Sequence, residues 1–135
     1  MTKILIITTA TIALSACTTS ANVDYRQKYT DITSKMAVET EKYYQSHGEK
    51  ATIEMGKDAV KLDLKDPESA KFTGMKIKKY GEGRLVCGHV NAKNSYGGYV
   101  GSKAFVAAPF IAQIYAEGKP WVDEITNIPV NACFD

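Results

Sequence analysis

The stretch Arg84-Leu85-Val86-Cys87-Gly88-His89-Val90-Asn91-Ala92 alternates along its length, with Val86, Gly88, Val90 and Ala92 on one parity and Leu85, Cys87, His89 and Asn91 on the other. A period of two with β-branched residues marks a strand whose two faces meet different surroundings. Upstream, Met75-Lys76-Ile77-Lys78 alternates in the same way. Downstream, the turn-rich segment 93–98 leads into a further run over residues 99–108, and Pro109 separates that run from a fourth candidate at 110–116. An antiparallel meander of three to four strands is the simplest arrangement.

Before the strands the period changes. Tyr25, Tyr29, Ile32, Met36, Thr40 and Tyr43 recur every three or four residues, which predicts a helix over residues 24–45 ended by His47-Gly48. Residues 50–65 repeat the pattern with Ile53, Gly56, Val60 and Leu64, and Asp66-Pro67 stops it. Either a helical hairpin or one long helix broken near Gly48 satisfies this spacing. The expected class is α+β, with this helix or hairpin packed on the small antiparallel sheet. Val86, Gly88, Val90 and Ala92, set beside Val100, Ser102, Ala104 and Val106, form the small-residue face that the Tyr-rich helix is expected to cover.

The composition, 135 residues with 44% hydrophobic and 24% charged, is that of a globular domain and excludes collagen-like, prion-like or wholly disordered chains. The formal net charge of +2 and the presence of only two arginines, Arg26 and Arg84, argue against a nucleic-acid partner.

The first residues stand apart. Lys3 precedes an Ile- and Leu-rich run that is too short and too threonine-rich to span a bilayer, so residues 1–16 read as an export signal. Leu14-Ser15-Ala16-Cys17 resembles the lipobox of bacterial lipoproteins. The resemblance implies cleavage before Cys17, acylation of its thiol, a lipidated tether over residues 17–23 and a single α+β domain over 24–135. Thr18, Thr19 and Ser20 follow the cysteine, with no Asp or Glu among them. In the lipoprotein class that implies the outer membrane, periplasmic side, with the lipid as the membrane contact.

With Cys17 given to lipid, Cys87 and Cys133 remain as an even pair in an exported chain, where oxidation favours a structural disulfide. In the chain-entropy model such a loop contributes about 4 kcal/mol. A zinc site using Cys87, His89 and Cys133 lacks a fourth ligand, and the Cys-x-x-Cys spacing of redox and metal motifs does not occur. No metal and no cofactor are expected.

Catalytic groupings are equally sparse. Ser95 or Ser102 could be combined with His89 and Asp63 or Asp123, yet neither serine sits in a Gly-x-Ser-x-Gly elbow. Asp63, Asp66, Glu82, Asp123 and Glu124 lack the flanking aromatic platform of a glycan cleft, and Gly97, Gly98 and Gly101 do not form a phosphate loop. No catalytic residue is assigned. The segment Asn91 to Gly101 does stand out, because Lys93, Asn94, Tyr96 and Tyr99 could present a contact surface for a protein.

Two segments, Asp66-Pro67-Glu68-Ser69-Ala70-Lys71-Phe72 and Val86-Cys87-Gly88-His89-Val90-Asn91-Ala92-Lys93-Asn94-Ser95 with Gly97-Gly98-Tyr99, resemble a group of small bacterial and phage-associated envelope proteins, largely of unknown function. The resemblance implies a shared fold and no catalytic role. The expected function is therefore that of an outer-membrane lipoprotein that binds another envelope protein without catalysis. A small-ligand module with its pocket between helix and sheet, and a cell-wall or lipid hydrolase using His89 as base, are the alternatives.

Overall fold

A computed structural model describes residues 24–118 and 124–135. The expected export signal and lipidated tether lie outside the described residues. Helix α1 spans Tyr25–Lys61, a single 3-10 turn covers Pro67–Ser69, strands β1 Lys71–Tyr80, β2 Gly83–Asn91, β3 Lys103–Ala108 and β4 Ile111–Ile114 follow, and helix α2 covers Ile128–Phe134. The four strands form one antiparallel sheet in the order β1-β2-β3-β4. The α+β class and the meander agree with the sequence.

Asp24 starts α1 by accepting a hydrogen bond from the Gln27 amide, which satisfies one of the free N–H groups of the first turn. The helix is broken at Gly48, where φ is 81° and ψ 177°. That combination is essentially closed to residues with a Cβ. The second half ends at Lys61, four residues short of the expected Lys65, and the chain then turns into the Asp66-capped 3-10 turn.

The break has a large consequence for packing. Ile32, Met36 and Ala37 from the first half pack with Leu85, Cys87, Val106, Ala108 and, from α2, Val130 and Cys133. Met55, Ala59 and Val60 from the second half pack with Val86, Val90, Phe105 and Ala107. Leu85 and Val86 are neighbours in β2 and point to opposite faces. The sheet is therefore held between two halves of one helix, and β2 is buried on both sides. Close approaches fix each half. A Cβ at Gly83 would lie 2.2 Å from the Ala37 carbonyl oxygen, and one at Gly56 would lie 2.5 Å from Val86 Cγ1.

This corrects the expected face assignment. In the observed register Val86 pairs with Ala107, Gly88 with Phe105 and Cys87 with Val106. The Val86 row thus shares its face with Phe105 and Ala107, and the Leu85 and Cys87 row shares its own with Ala104 and Val106. The first half of α1 covers the latter row, using Thr33, Met36, Ala37 and Thr40 as its most buried positions, while Tyr25 is exposed. The tyrosine stripe is displaced to the edge of the contact. β3 begins at Lys103, so residues 99–102 belong to the connection, and this extra length moves the pairing by an odd number of residues. β1 is longer than expected and carries a bulge between Thr73 and Lys76.

Two links tie the C-terminal segment to this frame. Cys87 and Cys133 form a buried disulfide with Cα atoms 5.7 Å apart, joining α2 to β2. The buried Asn127 side chain accepts from the Ala116 amide at 3.0 Å and donates to the Ala116 carbonyl at 2.9 Å. At the other end of the sheet Arg84 pairs with Glu41 and lies over the Tyr44 ring, with 4.0 Å to its centroid. The hydrogen bond from Gln45, and then the Arg84 guanidinium, hold the Glu41 carboxyl below the usual glutamate range.

Replacing Gly48 by Ala is expected to cost about 1–3 kcal/mol in urea unfolding, because the strain is intrinsic to the backbone and nothing near the site can absorb it. An unchanged midpoint would contradict the observed bend. The Glu41 contribution follows its lowered pKa. It is fully present above the unfolded glutamate value of about 4.3 and is lost as the pH falls through the lower folded value. The melting-temperature difference between wild type and Glu41→Gln should therefore be present at neutral pH and shrink in strong acid.

Candidate functional site

The connection between β2 and β3 is built around Asn94. Its Oδ1 accepts from the Tyr96 amide at 3.0 Å and from the Gly98 amide at 3.2 Å, while its backbone amide donates to the Gly98 carbonyl and its carbonyl accepts from Gly97. Such side-chain capping of a turn is what Asn does well. Lys93 and Tyr99 close the loop as an isolated antiparallel bridge, and Asn91 Oδ1 accepts from the Gly101 amide.

A second segment braces the loop from outside. Ser69 Oγ donates to the Asp66 carbonyl at 2.8 Å and accepts from the Lys93 amide at 2.8 Å, and the Ser69 carbonyl accepts from the Tyr99 hydroxyl at 3.2 Å. The segment 66–72 and the segment 86–99 are thus in direct contact. Two cations lie over the Tyr99 ring, with Lys71 Nζ 4.5 Å and Lys93 Nζ 5.6 Å from its centroid. Contacts of this kind contribute about 0.5–1 kcal/mol at exposed sites.

The four expected contact residues therefore divide by role. Asn94 shapes the loop, Tyr99 is hydrogen-bonded to the 3-10 turn, and Lys93 supplies a backbone brace and a cation. Tyr96, at 97% exposure, is the side chain that this framework holds out into water. Their proximity was visible in the sequence, but the brace from Ser69 was not, because its partner lies 24 residues away.

The histidines occupy other places. His47 stacks on Tyr43 with ring centroids 4.1 Å apart, at the break in α1. The His89 and Phe134 ring centroids are 5.1 Å apart, on the outer part of the disulfide face, and Lys76 Nζ lies 4.9 Å from the same Phe134 ring centroid. Among the described residues no group of three His, Cys, Asp or Glu could hold a metal ion, and no helix is long and apolar enough to cross a membrane.

Between the second half of α1 and the sheet the layers touch, as Gly56 does against Val86. An apolar concavity lies beside the sheet end. It is a cleft of about 320 Å³ between Tyr43, the Met55, Ala59 and Leu62 stripe, and the Pro109-Phe110 turn. Compared with protein-family models, curated proteins and solved structures, the chain shows no match.

Ser69→Ala removes both bonds of the hydroxyl, including the partner of the Lys93 amide. It should cost about 1–2 kcal/mol and speed amide hydrogen exchange at Lys93 selectively. Tyr99→Phe removes one exposed bond and should cost less. Equal effects, or no change in exchange at Lys93, would contradict the brace.

Proposed function

We propose that the protein is a lipid-anchored component of the bacterial envelope, held on the periplasmic side of the outer membrane, that binds another envelope protein without catalysis. Three features support the anchor and the compartment. They are the lipobox-like Leu14-Ser15-Ala16-Cys17, the Thr18-Thr19-Ser20 that follows it, and the buried Cys87 to Cys133 disulfide, which suits an oxidising compartment.

The observation that carries the binding half is the presentation of Tyr96. A large aromatic side chain stands in solvent on a loop whose backbone is already fixed by Asn94 and Ser69. Ordering such a loop on binding costs little, so most of the contact energy of the ring is available to a partner. The position of His89 against Phe134 favours packing over proton transfer for that residue.

Metabolic labelling with an alkynyl fatty acid should mark the wild-type protein and fail with Cys17→Ser; labelling that persists in the variant would remove the anchor. A photo-reactive aromatic placed at Tyr96 in cells should give one dominant protein adduct. Tyr96→Ala should weaken capture of that protein about tenfold or more without altering the melting temperature. Unchanged capture would remove the loop from the proposal.

A further inference from the structure

Phe110 is the least economical residue in the fold. It occupies the second position of the two-residue turn between Ala108 and Ile111, with φ at 61°, and its ring is 92% exposed. Glycine or asparagine is preferred where a turn requires positive φ, and a bulky side chain there is strained. An exposed ring gives the folded chain nothing in return. Phe110 forms one wall of the cleft of about 320 Å³, whose other walls include Tyr43, Met55, Asp58, Ala59 and Leu62, with Leu62 itself 71% exposed. A protruding aromatic ring and an apolar hollow thus share one surface.

We infer that this surface is covered by a second copy of the same chain, related by a two-fold axis, with each Phe110 ring entering the cleft of the other copy. A knob next to a hole is self-complementary under two-fold rotation, as an isologous interface requires. The charges on the solvent side of the cleft match the same operation. Glu54, Lys57, Asp58 and Lys61 lie along the second half of α1, where Lys57 pairs with Glu54 at 2.7 Å and Lys61 with Asp58 at 3.8 Å. Antiparallel apposition about a point between Lys57 and Asp58 sets Glu54 opposite Lys61 of the other copy and Lys57 opposite Asp58. Parallel, in-register apposition sets like charges together. The Tyr96 loop lies at the opposite end of the sheet from the Pro109-Phe110 turn, so pairing leaves it open.

Sedimentation of the full chain in density-matched detergent tests this directly. Wild type should be a dimer, and Phe110→Gly should weaken association about tenfold or more. At concentrations where both are monomeric, this variant should melt no earlier than wild type, because glycine relieves the turn. Lys57→Glu with Lys61→Glu should also block self-association, and mixing that chain with Glu54→Lys, Asp58→Lys should restore a mixed pair. A wild-type monomer at the highest soluble concentration would overturn the inference. So would a dimer indifferent to Phe110→Gly, or charge variants that fail to pair on mixing. Phe110-dependent attachment of monomeric Cys17→Ser protein to phosphatidylethanolamine and phosphatidylglycerol vesicles would assign the surface to lipid instead.

Discussion

The backbone at Gly48 decides how this small protein makes a core. A sheet of four strands has two faces to cover, and the C-terminal helix covers only part of one. A single straight helix could cover one face and leave the Val86, Val90 and Phe105 row in water. The left-handed residue at position 48 carries the chain past the end of the sheet, where the 81–82 and 109–110 turns lie, and returns it along the other face. Both faces of β2 are then buried, and Phe105, Leu85, Val86 and Val106 all become fully inaccessible. Side chains of that size each contribute about 1.5–3 kcal/mol when buried. Glycines at 56 and 83 bring the two helix halves close enough for those contacts to form.

Much of this was legible in the sequence, and the reasons for the rest are physical. The change of period from 3.6 to two separated helix from strands, and His47-Gly48 marked the break. The distribution of faces was not legible, because it depends on strand register. Val86 could pair with either parity of β3, and the choice was set by how many residues the loop keeps for itself. The bonds from the Tyr99 hydroxyl to the Ser69 carbonyl and from the Gly101 amide to Asn91 Oδ1 keep residues 99–102 in the connection, and one residue of slip exchanges the two faces. The helix pattern carried the same ambiguity. Both halves are amphipathic, and nothing local says that they serve opposite sides.

The functional residues show the same division between local and distant causes. Asn94 and its glycines announce a shaped loop by composition alone. The brace from Ser69, the cations flanking Tyr99 and the resulting isolation of Tyr96 arise only when segment 66–72 meets the loop in space. Phe110 gave no signal in sequence, where it reads as an ordinary strand residue after proline; its positive φ and exposure are properties of the turn. Tyr96 and Phe110, the aromatic residues with the greatest exposure among those described, therefore sit at opposite ends of the sheet, one on a connection with many internal bonds and one on a strained turn beside a cleft.

Residues 25–47 and 49–61 of α1 lie on opposite faces of the sheet, and everything else in the core follows from that placement. A nuclear Overhauser spectrum of the folded protein tests it most directly. Cross-peaks are expected from the Gly56 α-protons to the Val86 methyl groups and from Ala37 to the Gly83 α-protons, two contacts that use opposite parities of β2. Cross-peaks from both helix halves to residues of one parity would place them side by side on a single face and contradict it.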